Sequence, residues 1–270
     1  MPEGHTLFRL AADLDEAFAG QGLRVSSPQG RFAESAAVID GQVLTAAESA
    51  GKHVFLVFAG GEIVHVHLGL IGVFTLGRAP APAAVGAVRL RLEGDTVYAD
   101  LRGATVCELV TREKMADVVG KLGPDPLRVD ADPDKAFLRI HRSTKAIGAL
   151  LMDQTVLSGV GNVFRAEVLF RARLNPLVTG DKVSKRRWNA MWDDLVFLME
   201  YGVLTGRIDT VRPEHEPVAM GRPPRVDDHG GEVYVYRRSG QPCHVCGSTV
   251  RTKILEGRNL FWCPTCQRRR

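Results

Sequence analysis

Near its C-terminus the chain reads Cys243-His244-Val245-Cys246 and then, after the sixteen residues 247–262, Cys263-Pro264-Thr265-Cys266. Two Cys-x2-Cys pairs, each on a tight turn, can bring four thiolates around one zinc ion. Four ligands close the shell, so the expected role is structural. His244, between two ligands, reads as a surface residue and not as a fifth ligand. Residues 251–261 are long enough for a two-stranded hairpin, with Glu256-Gly257-Arg258-Asn259 at its tip. A rigid tip bearing the forked donors of Arg258 suits a phosphate backbone; an exposed turn charge is the plainer alternative.

The residues around the cysteines add to this. From Tyr236 onward the cations are Arg237, Arg238, Arg251, Lys253, Arg258, Arg268, Arg269 and Arg270, against Glu256 alone, although the net charge of the whole chain is only +4. A basic segment beside metal-type cysteines points to a polyanionic partner. The fifth cysteine, Cys107, lies in an apolar strand and is read as core. Four of five cysteines in one short segment argue against a secreted disulfide framework and for a reducing cytoplasm. No apolar run is long enough to span a membrane, and no signal-peptide pattern is seen.

Upstream, Val211 to Gly231 is rich in Pro, Gly and charge and reads as a long mobile loop, and Tyr234 to Tyr236 as a strand leading into the cysteines. Helical stripes precede the loop. Ile147, Leu150 and Leu151 mark one helix, Val163, Val168 and Leu169 a second, and Trp188 to Met199 a third that ends at Gly202. Between the first two, Ser158-Gly159-Val160-Gly161-Asn162 is too rich in glycine to be helical. Gly123-Pro124-Asp125-Pro126 is a breaker and hinge. Before it lie short strand-like runs at 43–44, 54–58, 63–66, 73–76, 88–92 and 96–98, separated by glycine turns. Residues 3–18 carry Leu7, Leu10, Leu14 and Phe18 at helical spacing. The expected class is α+β multidomain: a helix plus β-sandwich over 1–125, a helical domain over 126–232 and a hairpin zinc finger over 233–270.

At the other terminus, removal of Met1 would leave Pro2 with a free secondary amine. The pKa of such an amine is about 8, so a useful fraction is uncharged at neutral pH. Attack on a sugar carbon by a secondary amine gives an iminium, an electron sink for later eliminations. Glu3, beside it, can move protons. Taken alone, Pro-Glu also reads as an ordinary helix start.

Four stretches in this order carry a specific resemblance: Met1-Pro2-Glu3-Gly4-His5-Thr6, Gly51-Lys52-His53, Gly159-Val160-Gly161-Asn162-Val163-Phe164-Arg165-Ala166-Glu167, and Gly257 to Gln267. Together the chain resembles the Fpg/Nei family of DNA repair glycosylases over essentially its full length. The opening and His67-Leu68-Gly69-Leu70 are similar to the endonuclease VIII (Nei) branch, and to its actinobacterial members in particular.

The resemblance implies a helix-two-turns-helix domain, a structural zinc ion on Cys243, Cys246, Cys263 and Cys266, and damaged DNA as partner of a cytoplasmic, nucleoid-associated monomer. It implies that Pro2 attacks C1′ as the Schiff-base nucleophile and that Glu3 acts as proton donor and acceptor. Lys52, the family's β-strand lysine, and Arg258, the zinc-finger arginine, would hold phosphate and aid catalysis. Asn162 would grip a further phosphate, with backbone N–H groups of its turn. Leu70 would fill the space left by the flipped base. Arg102 would contact the orphaned base, although Ala104 stands where an aromatic wedge occurs in the formamidopyrimidine branch. Thr6 replaces a frequent glutamate. Glu167 matches a glutamate near the family's site, with a buried structural carboxylate as the alternative.

The activity implied is excision of oxidised bases, above all pyrimidines, followed by β,δ-elimination at the abasic site. The same residues would serve an 8-oxoguanine and formamidopyrimidine glycosylase. A non-catalytic damage-binding protein would need the zinc finger, Lys52 and Asn162, but has no use for Pro2 and Glu3. A zinc-finger RNA-binding factor would need exposed aromatics for stacking, whereas the 7% of aromatic residues fall mostly in apolar stripes.

Overall fold

The computed structural model describes residues 2–226 and 231–268. The chain divides into two compact units, Met1–Lys121 and Leu122–Arg270.

The first unit opens with helix α1 (Gly4–Phe18), which buries Leu7, Leu10, Leu14 and Phe18, the stripe visible in the sequence. Then come β1 (Arg24–Ser26), α2 (Ala33–Ile39), β2 (Leu44–Ala50), β3 (His53–Phe58), β4 (Ile63–His67), β5 (Val73–Arg78), β6 (Val88–Glu93), β7 (Val97–Arg102), β8 (Val106–Val110) and α3 (Arg112–Gly120). The strands form two four-stranded antiparallel sheets, ordered β1-β6-β7-β5 and β2-β3-β4-β8. One face of each is apolar. Val54, Leu56, Val64, Val66 and Cys107 of one sheet share a core with Leu90, Leu92, Ala99 and Leu101 of the other, and with the buried face of α1.

A helix ahead of a sandwich is therefore correct, but this unit holds three helices where the sequence suggests one. Helix α3 buries no residue, so it leaves no apolar stripe to read; its sequence signal is the cap, Thr111, whose hydroxyl accepts from the Lys114 N–H at 3.3 Å.

The second unit holds α4 (Pro133–His141), α5 (Ile147–Leu150), α6 (Asn162–Arg171), α7 (Lys185–Thr205), the one-turn α8 (Pro217–Met220) and a hairpin of β9 (Arg251–Leu255) and β10 (Arg258–Trp262). The core takes Phe164 and Val168 from α6 and Trp188, Leu195 and Leu198 from α7. It also takes Tyr234, Tyr236, Cys243, Phe261 and Cys263, so the cysteine segment packs into the helical core.

Three expectations need correction here. Helix α7 runs through Gly202, which is buried in its interior, and stops at Gly206, where φ is +72°. A glycine ends a helix by taking the left-handed conformation, which Gly206 does. Residues 234–236 form no strand, because their N–H groups are turned onto a buried carboxylate described below. The described part of 211–231 is not plain loop: it contains a helical turn at Pro213–His215 and α8. Residues 227–230 of that stretch, and Arg269 and Arg270 of the basic tail, lie outside the described residues. No helix among the described residues is long and apolar enough to cross a membrane.

Candidate functional site

Within the first unit, Pro2 precedes α1 and Glu3 is its N-cap, wholly buried. Where α1 points is set by two bonds. The Ala47 N–H donates to Asp15 and the Gly20 N–H to the Leu44 carbonyl, both at 2.8 Å. Helix α1 thus runs antiparallel to β2. From Asp15 back to Glu3 the helix rises about 18 Å, and from Ala47 to its end at Ala50 the strand advances about 10 Å in the same direction, with Lys52 in the turn just beyond. Pro2, Glu3 and Lys52 are therefore brought to the same end of the unit.

Lys52 does not lie in a strand. Ala50 pairs with His53, so Gly51 and Lys52 form a two-residue turn, with Gly51 at φ +58°. Beside it is a histidine cluster that the sequence reading missed. The His53 and His65 rings are joined at 2.8 Å (Nδ1 to Nε2), and His65 meets Glu108 at 3.3 Å. His67 lies across from His53, with ring centroids 4.9 Å apart. Burial, followed by the neighbouring His67, His65 and Lys52, pushes the His53 pKa down to about 3. His53 is thus neutral, and Lys52 carries the positive charge of this turn. Period-2 spacing of His65 and His67, with His53 opposite in register, was the available signal.

The same cluster positions the loop that bears Leu70. The Gly69 N–H donates to His67 Nδ1 at 3.1 Å, and the Gly72 N–H to the Leu68 carbonyl at 3.0 Å. Both glycines are required. A Cβ on Gly69, at φ +69°, would fall 1.9 Å from the Thr105 hydroxyl, and one on Gly72 would fall 2.2 Å from the Leu68 carbonyl. On this tight loop Leu70 is 54% exposed and its neighbour Ile71 81% exposed. The sequence reading singled out only Leu70. Arg102 ends β7, where it donates to Asp100 (2.9 Å), the Thr75 hydroxyl (3.2 Å) and the Val85 carbonyl (3.3 Å). Asp100 is buried, but its pairing with Arg91 and Arg102 outweighs that desolvation and lowers its pKa.

Within the second unit, Asn162 is the first residue of α6 and is buried. Its side-chain oxygen accepts from the Arg165 guanidinium. Arg165 also donates to the Gly148 carbonyl at 3.2 Å and to the Asn259 carbonyl at 2.9 Å. One buried guanidinium thus ties the glycine-rich turn to the hairpin, at the residue next to Arg258. The hairpin turn is Glu256-Gly257, with φ of +47° and +72°; Arg258 is not in the tip but opens β10, paired with Leu255 and exposed. Two residues with positive φ make the tight turn whose twist matches a hairpin.

Glu167 is a structural carboxylate. Wholly buried, it accepts from the N–H groups of Tyr234 (2.7 Å), Val235 and Tyr236 (both 2.9 Å) and from the Thr210 hydroxyl (2.6 Å). These bonds hold 234–236 out of a strand.

The four sulfurs of Cys243, Cys246, Cys263 and Cys266 all lie within 4.8 Å of one another. Cys243 and Cys266 are 3.9 Å apart, and Cys246 and Cys263 3.5 Å. A tetrahedron with Zn–S of about 2.3 Å needs S–S edges of about 3.8 Å, so the set fits zinc. The cluster is anchored by buried Gln267, which accepts from the Cys263 N–H and donates to the Leu174 carbonyl, both at 2.9 Å. His244 is no ligand here: it meets Arg238 at 3.4 Å. Cys107 is core, its thiol pushed up to about 12 by burial.

The comparisons with known proteins follow the same division. Residues 1–107 match the formamidopyrimidine-DNA glycosylase N-terminal domain, 122–212 the formamidopyrimidine-DNA glycosylase H2TH domain, and 240–269 a zinc finger found in FPG and IleRS. The chain is 52% identical to Endonuclease 8 1 of Mycobacterium tuberculosis, over 99% of this chain and 100% of that one. It is 30% identical to a formamidopyrimidine-DNA glycosylase of Geotalea daltonii, over 84% and 83%. Its fold superposes on Lactococcus lactis Fpg in complex with abasic-site DNA at a TM-score of 0.78 and 19% identity, covering 99% and 100%. With its N-terminal, H2TH and zinc-finger segments all matched, and a relative of that identity spanning its whole length, the chain belongs to the Fpg/Nei family of DNA glycosylases.

Proposed function

We propose that the protein excises oxidised pyrimidines from DNA and cleaves the resulting abasic site. The observation that carries this reading is the placement of Pro2, Glu3 and Lys52 at one end of the first unit by the antiparallel run of α1 along β2. After loss of Met1, the Pro2 nitrogen bonds to C1′ of the flipped nucleotide. Glu3 delivers a proton as the glycosidic bond breaks and the sugar ring opens. The iminium on Pro2 then draws electrons from C2′, whose proton leaves as the 3′ phosphate departs; a second elimination releases the 5′ phosphate. Lys52 holds phosphate near the reacting sugar. Identity to Endonuclease 8 1 well above that to the Geotalea glycosylase, with Ala104 in place of an aromatic wedge, supports pyrimidines over 8-oxoguanine. The test is borohydride trapping on oligonucleotides carrying thymine glycol, 5-hydroxyuracil, 8-oxoguanine or an abasic site. Adducts on the two pyrimidine lesions and the abasic site are expected; adducts on 8-oxoguanine alone would reverse the preference.

The second unit supplies the grip in this reading. Asn162 and Arg258, linked through Arg165, hold phosphates, and one zinc ion on the four cysteines keeps the hairpin rigid. Arg258→Ala is expected to weaken binding across all sequences and to lower the salt slope by about one phosphate contact. Titration of affinity against salt on two lesions checks it; lost discrimination with intact affinity would mean that Arg258 reads bases.

Leu70, with Ile71 beside it, fills the space left by the flipped base. Leu70→Ala is expected to slow excision from duplex more than from single strands, at a cost of about 1–3 kcal/mol. Single-turnover rates on both substrates decide this, and equal losses would count against the wedge. Arg102 contacts the orphaned base only if its guanidinium leaves Thr75 and Val85. In this reading the protein acts on damaged DNA as a cytoplasmic, nucleoid-associated monomer.

A further inference from the structure

The second unit carries a recess away from the residues assigned to phosphate. Helix α6 has Asn162 at its start, and its C-terminal end lies about 14 Å further along the axis. Just past that end is a groove of about 780 Å³. Its cations are Arg173, Lys182, Arg187 and Arg268, contributed by the residues after α6, a helical turn, the first turn of α7 and the end of the zinc finger. Lys182 pairs with Asp181 at 3.2 Å. The other three are exposed, have no carboxylate partner among the described residues, and are joined in the lining by no acidic residue. Between them the lining mixes apolar Leu174, Val178 and Val245 with Thr265 and two of the clustered cysteines, Cys246 and Cys266.

Arg173 adds a second observation. It takes φ +49° directly after the helix, where glycine is the unstrained choice. A cation is thus placed at the groove edge at a cost in backbone strain.

We propose that this groove docks an acidic, extended peptide segment of a partner protein. Four cations around a lining with an aliphatic part, Leu174, Val178 and Val245, match a segment in which carboxylates alternate with aliphatic side chains. Nucleic acid fits less well. Single strands are held by stacking on exposed aromatics, and no aromatic lines the groove. The adjoining cavity of about 110 Å³ includes Phe170 and Tyr234, but these rings stack on each other and are buried. A duplex presents its phosphates on a convex surface, whereas these cations rim a recess.

The test uses the full-length zinc-loaded protein saturated with a duplex containing a tetrahydrofuran abasic analogue. A fluorescein-labelled peptide of alternating Asp-Glu pairs and leucines is titrated by anisotropy. Binding is expected with the duplex in place. It should fall at least tenfold in Arg173→Gly/Arg187→Gln, with zinc content and excision rate unchanged. Glycine relieves the positive φ, and Arg187→Gln alone, on an exposed helix face, serves if the double variant folds poorly. Displacement of the peptide by duplex, equal binding by the variants, or equal binding of a peptide with Asn and Gln in place of the acids would each overturn the proposal. So would binding of labelled dT15, but not the peptide, with the same loss in the variants, because the groove would then take nucleic acid.

Discussion

Protein that retains Met1, or carries an N-terminal tag, is expected to show neither base excision nor strand cleavage. An amide nitrogen cannot form the iminium, so the whole catalytic enhancement is lost rather than a fraction of it. Zinc content and DNA affinity should stay close to normal, because the cysteines, Asn162 and Arg258 belong to the second unit. Pro2→Gly is a weaker test, since it keeps a primary amine and with it some lyase activity. Glu3→Gln should separate the two half-reactions: base removal falls steeply, while cleavage of a preformed abasic site, whose C1′ is already available as an aldehyde, falls less. Borohydride trapping on lesion and abasic substrates, with mass spectrometry of the first residue, measures all of this. Normal excision by protein with a blocked terminus would exclude Pro2 as the nucleophile.

The second large effect is expected at the cysteines. Cys263→Ser should release the zinc ion and abolish DNA binding while leaving the first unit folded. Binding of structural zinc supplies about 10–16 kcal/mol of folding free energy in small finger modules, far more than a hairpin of two five-residue strands provides for itself. Cys263 is wholly buried in the core it shares with Phe261, Tyr236 and α6, so loosening should spread from the hairpin into that core. Metal analysis, near-ultraviolet circular dichroism and a binding titration are the measurements. A metal-free variant that binds DNA normally would show that the hairpin needs no ion.

What was legible in the sequence depended on how local each signal is. The zinc site was legible because its ligands are fixed by spacing alone. The strands of the sandwich were legible as short apolar runs, Val54 to Phe58 among them, set off by glycine turns. Helix α4 was missed: its two buried residues, Ala136 and Ile140, are too few for a stripe, and its remaining signal is Asp132-Pro133, a cap and a first-turn proline. At the candidate site, Pro2, Glu3, Lys52 and Asn162 were singled out through motifs. The roles of Arg165 and His67 were not: each depends on a partner brought in by folding, Asn259 for one and His53 for the other. Residues 234–236 misled because two tyrosines and a valine favour strand in isolation. Only the distant carboxylate of Glu167 overrides that preference.

That carboxylate has an evolutionary side. Glu167 binds Thr210 on one flank and Tyr234 to Tyr236 on the other, and the Thr210 N–H donates to the Glu232 carbonyl at 2.9 Å. The two ends of the stretch 211–231 are therefore clasped together, and its described residues are tied back to the scaffold by His215 on the Tyr234 hydroxyl at 3.0 Å and Arg222 on Glu232 at 2.7 Å. Once its ends are fixed, doubling the length of such a segment adds only about 0.6 kcal/mol of closure entropy. An insertion that leaves those contacts in place costs the helical core little. A lineage can rewrite this stretch while the four cysteines and the turn before α6 stay where they are.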